Sequence, residues 1–405
     1  MKQLAIIGAS YLQAPLIQKA KDFGCETHVF AWAADDVGEK MADHFYPISI
    51  VEKDAILEKC REIGIDGICT IASDLAAVTV NYVAEQMDLP GNGMRCCEKS
   101  TNKHKMRQAF EAGGDPSPRS VLIGPGTDLS VLEGMQYPLI VKPTDRSGSR
   151  GITEVQRPAG LQTAIVRARE QSFEKMALVE EFATGQEYSV ECISYQGTHH
   201  LLQITLKYTT GAPMYIETGH MEPAPLTEAM RRKVQAVVFH ALDTLEIRNG
   251  ASHSELKIDS HGNIRLIEIG GRMGGDCIGS HLVPYTTGWD FVGMVVQIAL
   301  GQAPDMTRAE HHPACGVRFV FGPRDLELRE ALRAAPGITM HLPLYAAAFK
   351  SAGGKPHRPH GSYGDRFFHP VWLLHFCGRR PGHDLCLDGK MKGRKPASPC
   401  NCSVL

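Results

Sequence analysis

The sequence predicts an α/β protein in which an N-terminal parallel-sheet domain precedes two α+β subdomains. Three observations carry this expectation. Residues 1 to about 90 alternate short apolar runs with amphipathic ones. Residues 118 to 195 set several strand-like runs around one helical stretch, and "HSELKIDSHGNIRLIEIGG" reads as two alternating strands about a tight turn.

In the first region the strands are "KQLAIIGA", "ETHVFAW" and "DGICTIA", and the helices "PLIQKAKDFG", "AILEKCREIG" and "AAVTVNYVAEQM". A βαβ rhythm implies a parallel sheet, because parallel strands need a crossover longer than a hairpin turn. The first turn, "GASYLQAP", lacks GxGxxG, so a dinucleotide site is not supported. Ser10, Ser73 and Asp74 stand at strand ends. They are expected either to face the crevice outside the carboxyl ends of the sheet, as substrate contacts, or to cap the following helices.

Next comes a helix in "STNKHKMRQAFEAGG", started by Ser100 or Thr101 and stopped by Gly113 and Gly114. Residues 118 to 195 then read as strand "YPLIVKP", loop "TDRSGSRG", strand "ITEVQ", a helix over 159 to 173, and strands "ALVEEF" and "EYSVECISY". Further strands, a helix around "TEAMRRKVQAVVFHALDTL", the hairpin and a helix "GWDFVGMVVQIALG" complete the periodic part. The expected units are 1–95, 96–300 with 118–195 as a small subdomain inside it, and 301–349. From about 350 periodicity is lost and His, Gly, Pro, Arg and Cys crowd together. Reading one base later through permitted codons for residues 364 to 392 yields an alternating hairpin, a helix and a stop. Residues 350–405 are therefore expected to be a disordered, frameshift-derived tail whose His and Cys carry no functional weight.

With 405 residues, 43% hydrophobic and 22% charged, the chain can bury a large core. A net charge of −2 without blocks of like charge favours neither nucleic acid nor a membrane surface as partner. No run of about 18 apolar residues appears, and the first apolar run stops at Gly8, so it is expected to be a strand rather than a leader. Twelve cysteines scattered through apolar segments read as buried free thiols in a reducing cytoplasm. Cys96 and Cys97 are adjacent, which is not CxxC spacing.

Centring the hairpin between His261 and Gly262 pairs His253 with Gly270, Glu255 with Glu268 and Lys257 with Leu266 on one face. Leu256, Ile258, Ile267 and Ile269 then form the core face. Carboxylates directly opposite one another repel by roughly 3 kcal/mol at about 5 Å and an effective dielectric of about 20. A divalent cation offsets this, Mg²⁺ being suited to carboxylate and phosphate oxygens, or else Lys257 or solvent does.

Two other stretches carry chemistry. "VKPTDRSGSRG" ends a strand with Lys142 and enters a small-residue loop, Ser147, Gly148 and Ser149, whose N–H groups can cradle phosphate. It lacks GK[ST] and is no Walker A motif; a flexible surface loop is the plain alternative. In "LVEEFATGQEYSVE" one strand ends at Glu180, Glu181, Phe182 and Ala183, and the next begins at Glu187. Backbone groups of such a hinge can pair with an adenine edge, and Glu187 with ribose hydroxyls.

Taken in order, these stretches resemble the ATP-grasp superfamily, particularly its carboxylate–amine ligases and amino-acid-ligase-like members, over about residues 1 to 345. The resemblance implies a Rossmann-like (pre-ATP-grasp) domain followed by an ATP-grasp fold of two α+β subdomains. Lys103 in "NKHKMR" and Lys142 match the lysines that hold ATP phosphates, and the 145–151 loop the flap that closes over them. Glu180 to Ala183 and Glu187 match the adenine and ribose contacts. Glu255 and Glu268 match the ligands of Mg²⁺ or Mn²⁺, and Arg272 the arginine facing the transferred phosphoryl group, with Lys142 beside it. His253, Gly274 and Gly275 are expected with Arg272 on the substrate side. One departure stands out: many members carry Asn two residues after the second glutamate, where this chain has Gly270.

The activity implied is ATP- and Mg²⁺-dependent joining of a small carboxylic acid to an amine through an acyl phosphate, in a cytoplasmic protein, with a homodimer common in the family. The alternatives are a carboxylase or thioester-forming ligase, which the lack of an evident biotin-carrier domain disfavours for the former, and a non-catalytic ATP-binding protein with an impaired C-terminus, which the retained Glu255, Glu268, Lys142 and Arg272 disfavour.

Overall fold

The computed structural model describes residues 1–146, 148, 150–212, 215–319, 327, 338–341 and 371–376. The chain opens with β1 (Lys2–Ile7), β2 (Cys25–Phe30), β3 (His44–Tyr46) and β4 (Gly67–Cys69), all parallel, in the order β3-β2-β1-β4. Alternate residues of β1 are buried on both faces: Leu4 and Ile6 pack with helices Ala14–Asp22 and Phe291–Ala299, Ala5 and Ile7 with helix Lys53–Ile63. This two-sided cover is what an apolar run such as "LAII" requires of a parallel sheet.

The helix expected from Ser100 or Thr101 runs over Lys103–Gly113, capped by Asn102 instead, and a helix that was not expected, Gly93–Thr101, precedes it. Asn102 between them is extended, and its side-chain oxygen accepts from the N–H groups of His104 and Lys105. A competent N-cap inside the run thus breaks the helix and restarts it at Lys103. Gly114, at φ 77°, ends it as expected.

A second, antiparallel sheet consists of β5 (Ser120–Ile123), β6 (Leu139–Pro143), β7 (Thr153–Val155) and β8 (Ala177–Glu181), in the order β5-β8-β6-β7, backed by helix Leu161–Gln171. The third is large and antiparallel: β9 (Gln186–Tyr195), β10 (Thr198–Thr209), β11 (Glu217–Glu222), β12 (Gly250–Ile258), β13 (Ile264–Gly270), β14 (Ala314–Phe319), β15 (Ile338–His341) and β16 (Val371–Phe376), in the order β13-β12-β9-β10-β11-β14-β16-β15. One face of it, with Tyr188, Val190, Ile204, Leu206 and Leu256, packs on helices Lys103–Gly113 and Glu228–Thr244. β16 corrects the expectation of disorder for residues 371–376, which pair with both β14 and β15; the rest of 350–405 lies outside the described residues. Among the described residues no helix is long and apolar enough to cross a membrane, and seven of the eight free cysteines are buried.

The hairpin β12–β13 departs from expectation twice, and the departures cancel. Its loop is Ser260–Gly262, with Asp259 N–H donating to Asn263 O (3.1 Å) and Gly262 at φ 77°, so Ile258 pairs with Ile264. That is a three-residue loop, not an even one. A bulge beyond Leu256 then restores the register, so that Glu255 still faces Glu268 and His253 faces Gly270. Between loop and bulge the expected pairing fails: Lys257 faces Arg265, and Leu266 rather than Ile267 enters the core. The bulge frees main-chain groups that are used elsewhere. Leu266 N–H donates to Pro116 O (2.7 Å), and Ile267 O accepts from Arg107 Nη2 (2.7 Å).

This register makes a prediction. Leu266→Ala is expected to cost about 2–5 kcal/mol by urea denaturation, and Ile267→Ala, half-buried at the cleft, much less. A larger loss for Ile267→Ala than for Leu266→Ala would mean that the alternation runs through the hairpin without the bulge.

Candidate functional site

A cleft of about 1160 Å³, including its open mouth, lies between the small sheet and the polar face of the large one. The small sheet supplies one wall. Antiparallel pairing sets Lys142 of β6 opposite Leu178 of β8, two residues from Glu180, so Lys142 and Glu180 share a face. Lys142 Nζ lies 2.6 Å from Glu180 Oε2, with both side chains buried. Arg107 Nε is 2.7 Å from Glu180 Oε1, close enough to pair by charge though not aligned as a hydrogen bond. Burial pushes the Glu180 carboxyl up, but Arg107 and Lys142 outweigh it and hold it low. Burial, aided by Arg107 and Lys103, holds the Lys142 ammonium below its ordinary range. Beyond Glu180 the wall continues through Glu181, Phe182 and Ala183, and Lys257 Nζ sits 4.6 Å from the centroid of the Phe182 ring. Gly148 lines the mouth with Arg146 and Arg150. The expected loop residues Ser147 and Ser149 lie outside the described residues.

The large sheet supplies the other wall through side chains in the opposite phase to its core. Across the strands, His253 of β12 stands between Glu191 and Gly270, Glu255 between Ser189 and Glu268, and Lys257 opposite Glu187. The two facing carboxylates are therefore present, but Lys257 does not offset them. Lys207 Nζ lies 2.6 Å from Glu255, 2.7 Å from Glu217 and 3.3 Å from Glu187, while Lys103 Nζ lies 2.7 Å from Glu268. Each facing carboxylate has its own ammonium. Burial pushes the Lys207 ammonium down, but Glu217, Glu255 and Glu187 outweigh it and hold it well above its ordinary value. For Glu255, burial pushes up and Lys207 and His253 outweigh it; for Glu217, Lys207 and His220 do the same.

Behind Glu255, His253 Nδ1 pairs with Glu191 Oε1 at 2.5 Å, and its Nε2 lies 3.4 Å from Glu255 Oε1. Beyond β13, Arg272 donates from Nε and Nη2 to the two carboxylate oxygens of Asp74, at 2.7 and 3.0 Å.

The cleft thus gathers Lys103, Lys142, Glu180, Glu187, His253, Glu255, Glu268, Asp74 and Arg272. Four expected substrate contacts are not on its lining. The Ser10 hydroxyl donates to Gln13 Oε1 (2.7 Å) and accepts from Leu12 N–H (3.3 Å), closing a local turn. Ser73 caps helix Asp74–Gln86 by accepting from Ala76 N–H (3.2 Å). Gly274 lies behind His253, its N–H donating to Glu191 Oε2 (3.3 Å), and Gly275 packs towards Ala72. Conversely, Lys207, Glu217, Glu191 and Arg107 were not foreseen as site residues. For Glu191 and Lys207 the signal is a charge within an otherwise apolar strand, as in "EYSVE" and "TLKYT"; Arg107 lies on a helix and shows no such signal.

The residues present fit a magnesium nucleotide. Glu255 and Glu268 offer carboxylate oxygens on the cleft wall, and Glu187, Glu217 and Glu255 each bring a carboxylate oxygen within 4.8 Å of the others. These are the hard donors that Mg²⁺ takes. Lys103 and Lys142 present ammonium groups suited to phosphate oxygens beside them.

The ATP-grasp domain profile matches residues 135–280. Alanine–anticapsin ligase of Bacillus subtilis is 27% identical over 274 residues, covering 59% of this chain and 58% of that enzyme. D-alanine–D-alanine ligase of Haemophilus ducreyi is 29% identical over 234 residues, covering 54% of this chain and 74% of that one. The crystal structure of L-amino acid ligase from Bacillus licheniformis is 25% identical, with a TM-score of 0.74 over 94% of each chain. The chain spans a little over half the length of the alanine–anticapsin ligases it matches.

The role of Lys207 has a pH signature. Glu217 and Glu255 titrate below unfolded carboxylates, so the stability they contribute is full above the unfolded value of about 4.3 and is lost as pH falls through the folded ones. In Lys207→Met the carboxylates lack their counter-charge, and protonation relieves their repulsion. Stability measured by urea denaturation is then expected to rise as pH falls from about 7 to about 5. A variant with the unmodified chain's pH slope would remove Lys207 from this role.

Proposed function

Because the chain carries an ATP-grasp domain, we propose that it is an ATP- and Mg²⁺-dependent ligase, joining a small-molecule carboxylate to an amine and releasing ADP and phosphate. The observation that carries this reading is the meeting, in one cleft, of Lys103 and Lys142 with the facing Glu255 and Glu268 and with Arg272. A protein that only binds nucleotide has no need of paired carboxylates and an arginine at the same wall. The relatives named as amino-acid ligases support an amino acid as one substrate.

In the first step a carboxylate oxygen of the acid attacks the γ-phosphorus of ATP. The bond to the β-phosphate oxygen breaks, leaving ADP and an acyl phosphate. Such transfers are catalysed mainly by positioning and charge stabilisation. Lys103 and Lys142 hold phosphate oxygens, and Arg272 faces the group in transfer. Glu255 and Glu268 would hold Mg²⁺, which supplies neutralisation of the phosphate charge. In the second step the amine nitrogen attacks the acyl carbon, a C–N bond forms, phosphate leaves and the nitrogen loses a proton. The stretch bearing Arg146, Gly148 and Arg150 at the mouth would exclude water, which otherwise hydrolyses the acyl phosphate.

The test is phosphate release from Mg-ATP in the presence of pools of amino acids and other small carboxylic acids, with Mn²⁺ as a substitute ion. At least one pool is expected to stimulate release, with an amide product by mass spectrometry. Glu268→Gln is expected to lower turnover by about 100-fold or more. Bound ATP without stimulation by any pool overturns the ligase reading in favour of a nucleotide-binding protein. Stimulation by bicarbonate alone favours a carboxylase.

A further inference from the structure

Gly270 ends β13 at the cleft wall, opposite His253, yet its backbone does not call for glycine, since its φ is not in the left-handed region. The constraint is spatial. A Cβ at Gly270 lies 3.0 Å from Asp74 Oδ1 and 3.4 Å from both Nε and Cζ of Arg272. The room an asparagine side chain needs is filled by a carboxylate from the N-terminal sheet domain and the guanidinium it holds.

Asp74 is not free to swing aside. Both its oxygens are engaged by Arg272, at 2.7 and 3.0 Å. It is the first residue of helix Asp74–Gln86, with Ser73 as N-cap. Two residues back, Ala72 N–H donates to Met273 O at 3.1 Å. Residues 72–74 and 272–273 are thus joined by one main-chain hydrogen bond and one two-pronged ion pair. Two parallel N–H···O bonds fix a guanidinium in its plane as a single contact does not.

We propose that Asp74 is the positioning residue of Arg272, and that Gly270 is glycine so that this pair can occupy the space of a larger side chain. The N-terminal domain thereby sets the orientation of an arginine that stands just past the end of β13. What Arg272 then does rests on the ligase reading; the pair itself does not.

The test is a double-mutant cycle in the full chain. Gly270→Asn and Asp74→Ala are each expected to lower kcat by about 10- to 100-fold, with ATP affinity by calorimetry and KM for ATP unchanged. The double variant is expected to be no slower than Asp74→Ala alone, because the group that collides with the asparagine is gone. Gly270→Ala, which adds only the Cβ, should show the same pattern at smaller size. Multiplying losses in the double variant, or a parallel loss of ATP binding in Asp74→Ala, overturn the proposal. A second cycle reads the pair without any reaction. Asp74→Ala and Arg272→Ala are expected to be non-additive in urea denaturation, and additivity overturns the pairing. If no ligase activity is found but this second cycle is non-additive, the ligase reading fails and the pair stands.

Discussion

The pairing of β12 with β13 is the constraint on which the site depends. It sets two carboxylates across from one another on a sheet, an arrangement that repels unless positive charge is brought to it. The rest of the cleft answers that demand. Lys207 comes from β10 and Lys103 from the start of a helix, and each approaches one glutamate within 2.7 Å. The helix break at Asn102 acquires a purpose here, because a cap one residue before Lys103 is what places its ammonium at the cleft.

The same logic extends outward in shells of alternating charge. Glu180 lies between Lys142 and Arg107, Lys207 among three glutamates, and His253 between Glu191 and Glu255. A buried charge is costly unless it is paired and hydrogen-bonded. Glu191, fully buried, meets that condition through His253, the Ser189 hydroxyl and the N–H of Gly274. Glycine at 274 is required for this contact, since a Cβ there lies 2.7 Å from His253 Nδ1.

Local pattern revealed the elements whose partners are near in sequence. The βαβ rhythm, the strand bearing Lys142 and the facing Glu255 and Glu268 all follow from period and turn chemistry within a few tens of residues. The compensating loop and bulge were not visible, because a bulge is fixed by contacts such as that of Arg107 with Ile267, 160 positions apart. Lys207 and Glu217 were hidden for a related reason. Which strands lie beside β12 is a matter of topology: β9 pairs with it, β10 with Lys207 lies next and β11 with Glu217 beyond that, and the contact of Lys207 with Glu255 spans 48 positions. Asp74 and Arg272 are separated by 198 positions, so the residue expected to touch substrate could not be recognised as the arginine's partner.

Arg107 has a mechanical consequence. Its guanidinium touches Glu180 on one wall through Nε and the bulged carbonyl of Ile267 on the other through Nη2. A planar, rigid group so placed ties the small sheet to the large one. The two walls therefore cannot part at Arg107 without breaking its ion pair with Glu180 on one side or its hydrogen bond to Ile267 on the other.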